Sequence, residues 1–273
     1  MIKSRIKVLR KKGYSYTEIS KKVNKSKKFV WTIAKNIKFS EEGKKRYHKK
    51  VKGILSKIKN QNKNLTTQKI RIIGHLLFDG TVYNSNNNYI ARYITSSKEL
   101  MEQFIKDVKM IYGLNPTAIE NYGYCSKVSF KSKLLYEDLM NYFKSYSTSN
   151  QNIKIPKRIM NSSKKIKIEF LKSFFEDEGS ISATGRLAGD LKSYKIINQL
   201  GILLKEFGFK FGICKYLEPT GYMYKIYFYK NKENFDKFIK YGFFEKAIVT
   251  HGKNKGKKKI MVLKKAASKF KNP

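Results

Sequence analysis

The sequence predicts an α+β fold: a helix–strand–strand–helix–strand–strand–helix unit used twice, behind a small all-α segment. Three observations lead there. Two stretches, "KIRIIGHLLFDGTV" and "KIEFLKSFFEDEGSI", are apolar nearly all round and end in acid-Gly, so each reads as a buried helix. The same order of extended and amphipathic segments follows each of them. The spacing of about 100 residues, seen twice, implies a pseudo-twofold single chain rather than a solenoid.

The first 37 residues read as three short helices. Ile2, Ile6 and Leu9 share one helical face, and Gly13 stops that helix. Ser15 and Glu18 in "SYTE" form a capping box, Ile19 and Val23 continue the apolar stripe, and Asn24 takes the left-handed turn. Ser26 caps a third helix carrying Val30, Ile33 and Ile37. The pattern resembles a helix-turn-helix with 26–36 as recognition helix, and Lys27, Lys28, Trp31 and Lys35 are the candidates to face DNA. Residues 38–64 read as a basic, partly helical linker.

The first repeat spans 65–147 and the second 148–250. After the apolar helices come the extended segments "YIARYIT" and "GRLAGDL". Amphipathic helices follow: Leu100, Phe104, Val108 and Ile111 lead to Gly113, and Ile196, Leu200, Leu203 and Phe207 lead to Gly208. Period-two alternation then marks hairpins, at Val128 and Phe130 and at Tyr222, Tyr224, Ile226 and Phe228. "LLYEDLMNYF" and "ENFDKFIKYGF" close the repeats as helices, and 251–273 reads as a mobile basic tail.

Composition narrows the partners. Sixty Lys and Arg against 20 Asp and Glu give a net charge of +40, a field suited to a polyanion. Cationic thermal adaptation would raise Glu along with Lys, and Glu is scarce here. No apolar run approaches the ~20 residues needed to span a bilayer, and no apolar segment follows the basic N-terminus, so a cytoplasmic protein without signal peptide or membrane partner is expected. Cys125 and Cys214 are isolated and His48, His75 and His251 are scattered, which argues against disulfides and zinc.

Within this basic chain the two acid-Gly ends stand out. Packed side by side, the opening helices would bring Asp79 and Glu178 together at their C-termini, the electronegative end of each helix dipole. Two carboxylates there repel each other unless a cation joins them, and hard oxygen ligands suit Mg²⁺. Gly80 and Gly179 complete the expected metal site as sharp exits from each helix. Lys131 and Lys230 each lie 52 residues after these acids and Lys133 and Lys232 each 54, at the end of each repeat's last strand, where a lysine could offset charge developing on a phosphate.

"IIGHLLFDG" (72–80) and "LKSFFEDEG" (171–179) resemble the two signature helices of the LAGLIDADG homing endonuclease family, and the resemblance runs from Leu65 to Thr250. It implies two pseudo-symmetric αββαββα repeats whose two antiparallel sheets form a saddle on the DNA major groove. It implies Asp79 and Glu178 as ligands of two or more divalent ions, Mg²⁺ with Mn²⁺ able to substitute, and basic residues nearby, carried here to Lys133 and Lys232 with Lys131 and Lys230 as rivals. Gly74 and Ser173 fit the need for small residues between the helices, whereas Phe78 and Asp177 are larger than the residues often found at their position. The implied activity is metal-dependent cleavage of both strands of a long asymmetric DNA site by a monomer. Tyr83, Asn84, Asn86, Asn88 and Arg92, in and beside the Asn run, are the candidates for base contacts. The starting Met and the lack of a terminal His-Asn favour a free-standing enzyme of a mobile intron over an intein. Two alternatives share the fold: a catalytically silent transcription regulator, which predicts missing acids, and an intron-splicing maturase. Duplex DNA is favoured over RNA because the A-form major groove is closed to side chains.

Overall fold

The computed structural model describes residues 1–50 and 64–270. The chain divides into two compact units, Met1–Gln61 and Asn62–Pro273.

In the first unit, α1 (Ile2–Lys11), α2 (Tyr16–Val23) and α3 (Lys27–Ala34) surround a small core of Ile6, Ile19, Val30 and Ala34. The start of α2 is secured as its sequence implies: Ser15 Oγ accepts from the Glu18 amide, and the Glu18 carboxylate accepts from the Ser15 amide. Asn24 turns the chain at φ +48° and Ser26 caps α3. Residues 38–50, expected in the linker, pack onto this unit instead. The Ser40 amide donates to the Lys11 carbonyl, 41–50 form a helix (α4), and Lys50 pairs with Glu18 at 2.7 Å. The rest of the expected linker, 51–63, lies outside the described residues.

In the second unit, α5 (Thr67–Phe78) opens the first repeat. It leads to β1 (Gly80–Ser85), β2 (Asn88–Thr95), α6 (Lys98–Tyr112), β3 (Ala118–Asn121), β4 (Ser126–Lys131) and α7 (Lys133–Met140). After a single turn, α8 (Lys157–Met160), the second repeat runs through α9 (Lys164–Asp177), β5 (Gly179–Ile181), β6 (Leu187–Leu191), α10 (Tyr194–Glu206), β7 (Phe211–Glu218), β8 (Gly221–Phe228) and α11 (Lys232–Lys240). The two sheets are antiparallel, four-stranded and identical in order, β1-β2-β4-β3 and β5-β6-β8-β7. Alternation decides the faces. Ala91, Tyr93, Val128 and Phe130, like Leu187, Leu191, Ile226 and Phe228, point inward to the helices, which leaves Arg92, Ser129, Lys225 and Tyr227 on the open faces.

The repeats meet along α5 and α9. Gly74 lies so close to Ser173 that an added Cβ would sit 2.6 Å from the serine Cβ, which is why these positions hold small residues. Phe78 packs on Phe170 and Phe174, with ring centroids 5.5 and 5.2 Å away. Arg71 ties the junction from the side, binding Asp107 through two nitrogens and Glu169 through a third, all at 2.8–2.9 Å. Burial lowers its pKa and the two carboxylates raise it, and the carboxylates prevail.

The segment after Thr250 corrects the expectation of a mobile tail. Ile248 and Lys258 pair as an antiparallel bridge, and α12 (Lys259–Ser268) follows. Val262, Leu263 and Ala266 are buried, and Phe270 packs on Phe235 at 5.3 Å. The apolar one-and-four spacing of these three residues outweighs the lysines around them.

Candidate active site

Asp79 and Glu178 are the C-caps of α5 and α9, the pair of helices that packs at the centre of the unit. Both carboxyls are mostly buried, and each pushes against its neighbours. Burial, then the charge of Asp177, raises Asp79 to about 7 against the opposing pull of His75 and Lys259. Burial also drives Glu178 well above the usual carboxylate range, and the charges of Asp79, Asp177 and Asp190 add to it. The glycines that follow are required by space rather than by a left-handed turn. A Cβ on Gly80 would lie 2.6 Å from the Leu76 Cα, and one on Gly179 would collide with the Phe175 carbonyl and the Phe244 ring.

The other two acids of "FFEDEG" are structural. Asp177 crosses to the first repeat, where it accepts from Tyr93 Oη at 2.7 Å and pairs with His75 Nδ1 at 2.8 Å. Burial lowers the His75 pKa, but the adjoining Asp177 charge outweighs it and raises the pKa above its ordinary value. Glu176 is buried with Oε2 3.9 Å from His75 Nε2 and Oε1 3.4 Å from the Lys246 amide. The large residue at position 177 is therefore accommodated by a buried hydrogen-bonded contact between the repeats rather than by close backbone approach.

The structure does not bring the expected lysines to the acids. Strand register shows why: Gly80, Tyr93 and Val128 form one row, whereas Lys131 sits in the row of Tyr83 and Ile90, three residues or about 10 Å further out. Lys133 is the first residue of α7, exposed, and 3.6 Å from Glu137. Lys230 and Lys232 flank Asn231 as Lys131 and Lys133 flank Ser132, and Asn231 and Ser132 are the N-caps of α11 and α7. The twin "KSK" and "KNK" thus record two equivalent helix starts.

Lys259, at the start of α12, is a cation of this neighbourhood that the expectation of a mobile tail did not include. Its Nζ donates to the Gly179 carbonyl at 2.6 Å and lies 3.4 Å from that of Glu176. Burial lowers its pKa while Asp177, Asp79, Glu176 and Glu178 pull the other way. On the open sheet faces, Lys127 and Lys225 occupy the same register position, each one residue along from the row of the acid-Gly turn. Pairing register, not sequence offset, identifies them.

The other expected contact residues divide. Lys27, Lys28 and Trp31 are exposed on α3, and Lys35 is exposed at its C-cap. Tyr83, Asn88 and Arg92 share the open face, with Arg92 Nη2 3.3 Å from Tyr83 Oη. Asn84 pairs with Tyr89 on the helix side, and Asn86 and Asn87, at φ +49° and +63°, form the two-residue hairpin turn.

A divalent ion fits the donor set. The two carboxyls are oxygen ligands whose mutual repulsion a cation would relieve. Among the described residues no three His, Cys, Asp or Glu side chains converge as a complete ligand cage. Two carboxylates, with the remaining positions left to water and substrate phosphate, is the manner in which Mg²⁺ is ordinarily held. The Gly179 carbonyl, however, is engaged by Lys259.

Two αββαββα repeats with paired acid-ended helices are the fold of the LAGLIDADG endonucleases, as the motifs implied. In sequence the chain is 30% identical over 109 residues to homing endonuclease I-ApeI of Aeropyrum pernix, a match covering 38% of this chain and 49% of that protein. The chain therefore spans about half the length of the curated relative it matches. In structure it is similar to I-DmoI in complex with DNA and manganese, with a TM-score of 0.51 and 19% identity over 65% of this chain and 96% of that one. Mesophilic variants of I-DmoI give 0.51 and 17% over 63% and 93%. No family model matches the chain. Among the described residues no helix is long and apolar enough to cross a membrane.

Proposed function

We propose that this chain is a site-specific, metal-dependent DNA endonuclease that cuts both strands of a long asymmetric site as a monomer. The observation that carries the reading is the pairing of Asp79 and Glu178 at the C-termini of two packed helices, each carboxyl raised by burial and by nearby acids. A silent regulator on this fold has no need to keep such a costly pair. The +40 charge, and the Arg, Lys and Tyr side chains of the open sheet faces, suit a duplex. The complex of the structural neighbour I-DmoI with DNA and manganese supports the same reading.

Asp79 and Glu178 would hold Mg²⁺, or Mn²⁺ in its place, which when bound supplies charge to the scissile phosphate and acidifies water. Asp177, pinned by His75 and Tyr93, fixes the end of α9 so that Glu178 faces Asp79. The open faces orient the duplex: Arg92 and Tyr83 on one sheet, Lys225 and Tyr227 on the other. The helices of the first unit, through Lys27, Lys28, Trp31 and Lys35, would hold DNA phosphates or bases.

Selection of cut molecules from a randomised DNA library tests the proposal. Discrete sites cleaved in Mg²⁺ and spared in EDTA and by Asp79→Asn are expected. Tight binding of one site with no nicking in Mg²⁺ or Mn²⁺ would refute the nuclease and leave the regulator. Selective retention of structured RNA would favour the maturase.

A further inference from the structure

Of the lysines in this chain, Lys259 is held where lysine is costly. It stands beside four carboxyls yet lies within 4 Å of none of them. Its ammonium is bound by backbone carbonyls of the two residues that bracket Asp177 and Glu178, at 2.6 Å to Gly179 and 3.4 Å to Glu176. The ring of Phe244 covers it at 5.6 Å. It lines a 220 Å³ cavity with Asp79, Glu176, Asp177 and Thr95.

The fold is organised to put it there. The chain leaves the second repeat at Ala247, makes an excursion through 248–258, and returns so that the Lys259 amide donates to the Ala247 carbonyl at 2.9 Å. The Ile260 amide donates to Phe244, whose backbone is held at φ +66°. Neighbouring contacts reach the first repeat: Lys258 pairs with Glu99 at 2.6 Å, and Ser97 Oγ donates to the Lys246 carbonyl at 2.6 Å. The buried stripe of α12 anchors the far side.

We propose that Lys259 is a positioning residue of the acid site: α12 inserts its ammonium beside the carboxylates, where it anchors the turn that carries Glu178 and balances the charge of the acids without covering their oxygens. The role rests on the nuclease reading above. A contact ion pair would block a carboxylate, as Asp138 is engaged by Lys69 at 2.7 Å elsewhere in the chain. Bonding to carbonyls instead supplies positive charge at short range and leaves Asp79 and Glu178 open to another cation. The C-terminal helix is on this view part of the site rather than an appendage, and the site takes its lysine from outside both repeats.

Full-length Lys259→Met and Lys259→Arg, compared with the native chain, test this. Met keeps the length of the side chain and removes its charge and donors. DNA affinity measured in Ca²⁺ should stay within about threefold, while the single-turnover cleavage rate at saturating Mg²⁺ falls about 100-fold. Lys259→Arg should recover most of that rate, which a merely space-filling role would not require. A second readout needs no cleavage. With the built-in charge gone, the rise in melting temperature on adding Ca²⁺ to the free protein should be larger in Lys259→Met than in the native chain and near-native in Lys259→Arg. A Lys259→Met protein that cleaves within threefold of native and shows a native Ca²⁺ response overturns the proposal. If the native chain cleaves nothing, the nuclease reading fails, and the Ca²⁺ comparison still decides the role of Lys259.

Discussion

Asp79→Asn separates stability from function at a single atom. The Asp79 pKa rises from 3.8 to about 7, chiefly through burial and then through Asp177. Between those values the folded protein holds a proton that the unfolded chain has released, so stability falls as pH rises. The contribution is fully present below about pH 4 and is lost by about pH 7. At 1.36 kcal/mol per pH unit the whole loss is at most about 4 kcal/mol, and sharing among the coupled acids brings it to about 2–4. Asn cannot ionise and lacks this slope. Urea unfolding in EDTA, at fixed pH between 4 and 8, should therefore show native and Asp79→Asn proteins nearly equal at pH 4 and the variant more stable by that amount at pH 8. Titrating groups remote from Asp79 cancel in the difference, and the change at Glu178 and Lys259, which feel its charge, is the sharing already allowed for. Adding Ca²⁺ at pH 8 should stabilise the native protein and not the variant. A difference that stays flat across pH 4–8 would refute the placement of Asp79 in a buried, electronegative site.

The junction between repeats gives a second test: Gly74→Ala should cost about 1–3 kcal/mol by overpacking Ser173, and Ser173→Gly in the same chain should restore part of it in thermal melts. Lys69→Met strands the buried Asp138, which Tyr112 also binds at 2.6 Å, and should cost about 3–5 kcal/mol; Lys69→Met with Asp138→Leu should cost less. DNA affinity should fall with salt at a log–log slope of about −0.9 per phosphate contacted, and Lys27→Ala or Lys28→Ala should each reduce that slope by about 1 if α3 contacts the backbone. Calorimetry of Ca²⁺ binding in two buffers of different ionisation enthalpy should detect release of about one to two protons near pH 7, and none from Asp79 in Asp79→Asn.

What the sequence made legible follows its strongest physical signals. The helices closed by Gly113 and Gly208 were readable because burial imposes a 3.6-residue period and a left-handed cap admits glycine. The opening helices were readable because they lack a polar face. Asp79 and Glu178 stood out because acids are scarce and both follow such a helix. Strand parity and tertiary delivery were harder. Asn84 differs from Tyr83 only in which face it takes, and that depends on register with Tyr89 and Ile90. "KSK" and "KNK" share an offset, and the structure places both at the start of a closing helix, with Ser132 and Asn231 as the caps. α12 was hidden by its lysines, although the spacing of Val262, Leu263 and Ala266 was there to find. Lys259 could not be read at all, since nothing local distinguishes it from Lys257 or Lys258 until the chain has folded back onto Ala247.

The three adjoining carboxyls of "FFEDEG" point to how the site balances charge. Successive helical residues are about 100° apart, so Glu176, Asp177 and Glu178 turn to different surroundings, although Glu176 and Asp177 both flank His75. One reaches the Lys246 amide, one the first repeat, and one remains at the cap facing Asp79. With Asp79 these carboxyls feel the charges of His75 and Lys259, Asp190 adds to Glu178, and Lys172 and Lys246 act on Glu176. At Asp79 and Glu178 themselves burial and the neighbouring acids prevail, and a cation there would relieve both. In the metal-free protein burial and the neighbouring acids raise Asp79 and Glu178, so both hold protons more readily, while Asp177 is engaged by His75 and Tyr93. A site built only for stability would have gained more from amides at these two positions. Retaining two raised carboxyls beside cations that leave their oxygens uncovered is consistent with a charge that arrives with the DNA substrate.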